Sequence, residues 1–195
     1  RRSLNLMGLE WANRGINLWL VEEGGVTLVA GTATYTLPSD TIDLLEHTLR
    51  TDSGETNQTD TALYRMSVST YSQITNKLTQ GKPTQIYIDR LRDAPTVTLW
   101  PIPSSTYNGD FVRYFRLRRV EDTGGKSSNT ADIPARFLPC MVAGLAYHIA
   151  MKRPEAAPRI QMLKSVYDEQ FELAAQEDRE KASWSFTPQM DSYSL

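Results

Sequence analysis

Residues able to carry chemistry are few and scattered along the chain. There are two histidines, His47 and His148, far apart and in no spacing such as HxxxH that would aim both at one metal. His148 follows Tyr147 in an alanine-rich stretch and reads as structural. The single cysteine, Cys140, lies in "RFLPCMVAGLAY", where apolar neighbours make it a small core residue rather than a nucleophile. It rules out an internal disulfide and requires no oxidising compartment. Asp40 and Asp43 flank a turn, and Glu22 and Glu23 end a predicted helix. Asp52, Glu55 and Asp60 sit in a polar loop, where solvated charges are commoner than a cation site. Two of these carboxylates converging in space would suit a glycosidic-bond hydrolase, but no spacing favours it. No GxSxG, P-loop or GxGxxG occurs, and "EGG", "QGKP" and "TGGK" lack the strand–loop–helix context of a phosphate cradle. The expectation is therefore no catalytic residue, no metal and no cofactor.

One basic–aromatic cluster stands out, "RYFRLRR", with Arg113, Arg116, Arg118 and Arg119 around Tyr114 and Phe115. It fits phosphate contact aided by stacking. It equally fits a strand whose arginines meet carboxylates on a neighbour, including another subunit. The net charge of −2 weighs toward the second, since dedicated nucleic-acid binders usually carry a basic excess.

Elements must position these groups. A chain of 195 residues with 40% hydrophobic content can bury a core unaided. No run approaches the ~18 apolar residues of a membrane span, and no signal peptide is visible. The chain starts at Arg1, inside predicted helix, so a trimmed or processed start is expected. "RRSLNLMGLEWANRGINLWLVEE" reads as one helix, with Leu9, Ala12, Ile16, Trp19 and Leu20 at helical spacing and Leu4, Met7, Trp11 and Leu18 as a second apolar sector. So wide a face wants cover on two sides, from the chain's own core or equally from another subunit, and the second makes Leu4, Met7, Trp11 and Leu18 subunit-interface candidates, together with Arg113, Arg116, Arg118 and Arg119.

The pattern then changes to period two. Val26–Leu28–Ala30 and Ala33–Tyr35–Leu37 predict two short strands, and "TIDLLEHTLRT" a third. "STYSQITNKL" predicts a helix capped by Ser69, "PTQIYID" and "PTVTLW" a hairpin, and "GDFVRYFRLRRV" a longer strand. "DIPARFLPCMVAGLAYHIAMKRP" predicts a helix with Asp132 as its cap, a stripe of Leu138, Val142, Leu145 and Ile149, and a start or bend at Pro139. Ala143, Gly144, Ala146 and Ala150 would let another helix approach closely. A last amphipathic helix carries Ile160, Leu163, Tyr167, Phe171 and Ala174. The expected fold class is α+β: a helical bundle of residues 1–25 and 132–182 beside an antiparallel sheet region of residues 26–131.

Residues 183–195, "SWSFTPQMDSYSL", are expected to form an extended tail that leaves the fold, the alternative being a tail folded back on its own bundle. Trp184, Phe186, Met190, Tyr193 and Leu195 are spaced by small polar residues, and Pro188 prevents helix from continuing. This is the layout of a peptide docked on another surface.

Several stretches together, "RSLNLMGLEWANRGINLW", "VTLVAGTATYTLPSDTIDLLEHTLR", "GKPTQIYIDR", "TLWPIP" and "DIPARFLPCMVAGLAYHIAMKRP", occur in the same order as in the head-to-tail adaptors of short-tailed phages, some of them called tail tubular protein A, and the chain resembles that family. Pro139 departs from the family's helix pattern. The resemblance implies a virion structural protein at the portal vertex, assembled in the host cytoplasm. It implies a homo-oligomeric ring, usually of twelve copies, beneath the portal protein. The ring would extend the channel for double-stranded DNA and seat the tail nozzle. It implies no enzyme, no cofactor and no membrane, and a C-terminal tail that docks on the portal. A carboxylate-type cell-wall hydrolase and a DNA-binding module built on the arginine strand are the competing readings.

Overall fold

The computed structural model describes residues 2–15, 18–121 and 132–179. Its elements run α1 (Arg2–Asn13), β1 (Val21–Thr27), β2 (Thr34–Thr36), β3 (Thr41–Thr51), β4 (Thr59–Ala62), β5 (Tyr64–Met66), α2 (Val68–Gln73), β6 (Gln80–Gly81), β7 (Gln85–Asp89), β8 (Thr96–Trp100), β9 (Ile102–Pro103), β10 (Phe111–Arg118), α3 (Leu138–Ala150) and α4 (Ile160–Glu177). The fold is α+β, as the change of period along the chain predicts.

Two four-stranded sheets carry the β region. One has the order β1-β10-β3-β4 and is antiparallel throughout. The other has the order β2-β8-β7-β5, with β5 and β7 parallel. Alternation explains the core between them. Ile86 and Ile88 point one way from β7 and meet Leu99 and Val97 of β8 in register. Val112 and Tyr114 point inward from β10 and join Leu44 and Leu49 of β3 in the same cluster. β3 is the longer partner of β10, and the register slips twice, past Leu45 and Ile42. Such bulges bend a strand and re-aim the side chains beyond the bend. Here the extra residues lie in β3, opposite the arginine-rich end of β10.

The helices share a second core of Met7, Trp11, Phe137, Cys140, Tyr167 and Ala174. Trp11 Nε1–H donates to the Tyr167 hydroxyl at 3.0 Å, so two large residues bury without leaving a polar atom unpaired. Gly144 makes the bundle close: a Cβ there would sit 2.6 Å from Met7 Sδ and 2.7 Å from Tyr167 Cε2.

Several expectations need correcting. The first helix does not run to Glu23. It ends at Asn13, Gly15 follows at φ +88°, and Val21–Thr27 pair with β10. Val21, Glu22 and Glu23 therefore belong to a strand, whose edge position the helical spacing of Trp19 and Leu20 disguised. The two strands expected around Gly31 shift to Val21–Thr27 and Thr34–Thr36. The cap of α2 is Ser67, whose hydroxyl accepts from Thr70 N–H at 3.1 Å, rather than Ser69. Asp132 caps no helix; it pairs with Arg118. Pro139 does mark the start of α3, near whose first turn its missing N–H costs nothing. The predicted stripe of α3 points outward, with Leu138, Val142 and Ile149 exposed, because the small residues opposite, led by Gly144, form the packed side.

Candidate functional site

The arginines of β10 organise the junction between sheet and helices. Arg116 donates from Nη1 to Asp40 Oδ1 at 2.6 Å and from Nη2 to Glu22 Oε2 at 2.8 Å. Arg118 donates from Nε to Glu22 Oε1 at 2.5 Å, from Nη2 to Asp132 Oδ1 at 3.0 Å, and through Nη1 to Asp132 Oδ2. Arg113 donates to Glu23 Oε1 at 2.5 Å. Glu22 thus bridges two guanidinium groups, and Asp132 ties the start of the helical segment to the sheet. The hydrogen bonds from Arg118 hold the Asp132 carboxyl below the usual carboxylate range, and those from Arg116 do the same for Asp40. Two further bonds cross the junction. Trp19 Nε1–H donates to the Asp132 carbonyl at 3.0 Å, and Leu18 N–H donates to Asp178 Oδ2 at 3.1 Å.

This settles what most of the arginines do. Arg113, Arg116 and Arg118 are neutralised by carboxylates of their own chain, the first by Glu23 and the others by Glu22, Asp40 and Asp132. Such an array offers little free positive charge to a phosphate backbone. Arg119 differs: its side chain is exposed at a cleft of about 640 Å³ that Leu4, Gly8, Leu9, Asp40 and Ile133 also line.

The candidate catalytic groups do not converge. Cys140 is buried, and burial pushes its thiol up to about 12, far from a thiolate at neutral pH. His148 Nε2 lies 3.2 Å from Glu10 Oε2 and joins α3 to α1. His47 is buried on the inner face of β3, opposite Tyr114, with neither ring nitrogen hydrogen-bonded among the described residues. Burial lowers its pKa, and Arg65 adds to the effect. Asp60 forms two hydrogen bonds with Arg50, and Asp43 faces Arg65 and Arg90. Among the described residues no group of three or more histidine, cysteine or carboxylate side chains could hold a metal ion. No described helix is long and apolar enough to cross a membrane.

The four apolar interface candidates separate. Met7 and Trp11 are fully enclosed by the chain's own helical core, so their second sector is covered by Phe137 and Tyr167 instead of a neighbour. Leu4 is half-buried at the cleft, and Leu18 is exposed. Trp184, Phe186, Pro188, Met190, Tyr193 and Leu195 lie outside the described residues.

Exposed apolar side chains recur on the helices, on α3 where the residue spacing predicts core and on α4 outside its predicted face. On α3 they are Leu138, Val142 and Ile149; on α4 they are Met162, Val166 and Leu173; on α1 they are Leu6 and Leu9. On the β side, Tyr64, Val68 and Leu78 are exposed, and Tyr71 stacks on Tyr87. The α4 residues escape the sequence reading, although a second apolar period beside Tyr167 and Ala174 is visible in "MLKSVYDEQFEL". Large apolar side chains left exposed in rows along a helix suit contact with another macromolecule.

Comparison with known proteins adds one match. The profile of a family described as SU10 adaptor protein matches residues 1–190. No curated protein matches the chain.

Proposed function

The chain belongs to the SU10 adaptor protein family, a family of phage head-to-tail adaptors, and on that footing we propose that it is the structural connector of a short-tailed phage, akin to tail tubular protein A. Copies of the chain, twelve in this reading, close into a ring beneath the portal, extend the DNA channel and seat the tail nozzle. Residues 1–20 and 132–182 act as the helical, ring-forming part, residues 21–131, which begin with strand β1, as the nozzle-facing part, and residues 183–195 as a tail that docks on the portal. Assembly takes place in the host cytoplasm, and the product resides at the head–tail junction of the virion.

The observation that carries this reading is the outward apolar surface of α1, α3 and α4 in a member of an adaptor family. Helices with a packed inner face and a second apolar face are built to be covered twice. The net charge of −2 and the self-paired arginines suit a wall past which DNA slides, since free cations would hold its phosphates. Among the described residues the carboxylates that converge, Glu22, Asp40 and Asp132, are held in ion pairs by Arg116 and Arg118, which favours neither a hydrolase acid pair nor a free arginine strand for DNA. Sedimentation of the purified chain alone and with portal protein tests the proposal. A ring or a stable portal complex is expected; a chain that stays monomeric and ignores the portal would refute it.

A further inference from the structure

The exposed stripes of α3 and α4 match one another. Leu138, Val142 and Ile149 stand at positions i, i+4 and i+11 of one helix, and Met162, Val166 and Leu173 stand at the same relative positions of the other. Each row is about 16 Å long at the helical rise. Val142 is 63% exposed and Met162 is 60% exposed. Gly144 and Tyr167 mark the inward sides, since each faces the other across the bundle. At about 100° per residue, the stripes fall on the far side of each helix from that mark. They therefore leave the bundle in different directions, and one chain cannot use one to cover the other.

Their charge surroundings are opposite. The segment 135–153 contains Arg136, Lys152 and Arg153 and no carboxylate; Glu155, just beyond it, lies 3.7 Å from Arg153 on the exposed surface, and the other two cations have no ion pair among the described residues. α4 carries Asp168, Glu169, Glu172 and Glu177 against one cation, Lys164. Asp168, Glu169 and Glu172 have no ion pair among the described residues. Glu169 and Glu172 flank the stripe within one turn of Leu173. A contact of α3 on α3 would set cation against cation, and α4 on α4 would set carboxylate against carboxylate. Only α3 on α4 joins apolar row to apolar row with opposite charges at the rim.

We propose that these two faces are the two halves of one contact between copies of this chain: the α3 stripe of one copy packs on the α4 stripe of the next. Such a contact is heterologous, and a heterologous contact that closes by rotation makes a ring. The inference rests on the ring reading above and specifies which helices carry it.

Two charge-reversed chains test it. One carries Glu169→Arg with Glu172→Arg; the other carries Arg136→Glu with Arg153→Glu. All four positions are exposed, and circular dichroism checks that each chain folds. Sedimentation is then measured for wild type, for each variant alone and for their equimolar mixture. Each variant alone should need a concentration at least about tenfold higher to assemble, as loss of ~1.4 kcal/mol requires. The mixture should assemble like wild type, because every α3–α4 contact then joins opposite charges again. Val142→Ser and Val166→Ser should weaken assembly without altering the fold. If wild type assembles and the variants assemble equally well alone, this contact is wrong and the ring reading survives. Failure of the mixture to recover overturns the charge pairing. Variants that form normal rings yet no longer bind portal would assign the stripes to the portal instead. A wild-type chain that assembles neither alone nor with portal protein removes both readings.

Discussion

Replacing Gly144 by alanine sets two known effects against each other. Alanine in a helix interior is favoured over glycine by about 1 kcal/mol, and Gly144 lies within α3. Against this, the new methyl would sit 2.6 Å from Met7 Sδ and 2.7 Å from Tyr167 Cε2. The sulfur ends a flexible side chain and can move. The Tyr167 ring cannot move freely, because its hydroxyl accepts from Trp11 and its faces meet Tyr147 and Phe171. Overpacking a tight core costs ~1–3 kcal/mol, so the clash should outweigh propensity and Gly144→Ala should destabilise by about 1 kcal/mol net. Gly144→Val adds two further methyls and gains less propensity, so it should lose ~3 kcal/mol or more. Urea denaturation followed by tryptophan fluorescence reads both, because Trp11 lies in the affected core. If Gly144→Ala stabilises the chain by the propensity difference, α1, α3 and α4 are not closely packed at this point and the inward side of α3 has been misassigned.

Arg118→Ala strips a guanidinium whose side chain is 12% exposed and leaves Glu22 and Asp132 facing each other's charge; a loss of roughly 2–3 kcal/mol is expected in urea titration, allowing for partial solvent screening of a 3–5 kcal/mol buried pair, whereas Arg92→Ala on the surface should change little. His47 supplies a pH limb: its folded pKa is lowered, so below about 6.5 the unfolded chain takes up the proton first and stability falls as pH drops. Glu46 and Asp43 partly oppose the burial and Arg65 effects that cause this, and His47→Leu should flatten stability between pH 6.5 and 5. Asp40 and Asp132, whose folded pKa values are also lowered but start from the carboxylate range, lose their contribution only at still lower pH. Deleting residues 184–195 should leave the thermal unfolding of the chain unchanged while weakening its pull-down by portal protein; undiminished capture would retire the docking tail.

The β region was largely legible because period-two alternation survives wherever one face is buried, as in "QIYID" and "TVTLW". It failed where strands are edges or are short. β1 has glycines at positions 24 and 25 and carboxylates at 22 and 23, none of which signals a strand by itself; its identity depends on Arg113, Arg116 and Arg118 lying opposite. β4 hides in a polar loop because all four of its residues are exposed. The α+β class, and helices at both ends of a strand-rich middle, follow from composition and spacing. The direction in which α3 faces does not, because both its sides are apolar, and only the need for close approach at Gly144 decides between them. The arginine cluster is visible in "RYFRLRR", yet its partners come from places chain order keeps apart: Glu22 stands opposite Arg116 in the pairing of β1 with β10, Asp40 lies just before β3, and Asp132 precedes α3.

That this chain is a connector at the head–tail junction is tested most directly by electron cryomicroscopy of the assembled particle at its portal vertex. A closed ring of this chain is expected between portal and tail nozzle, with helices packed against helices of adjacent copies and the β region toward the nozzle. A vertex built without this chain, or density showing it as isolated copies elsewhere on the particle, would contradict it.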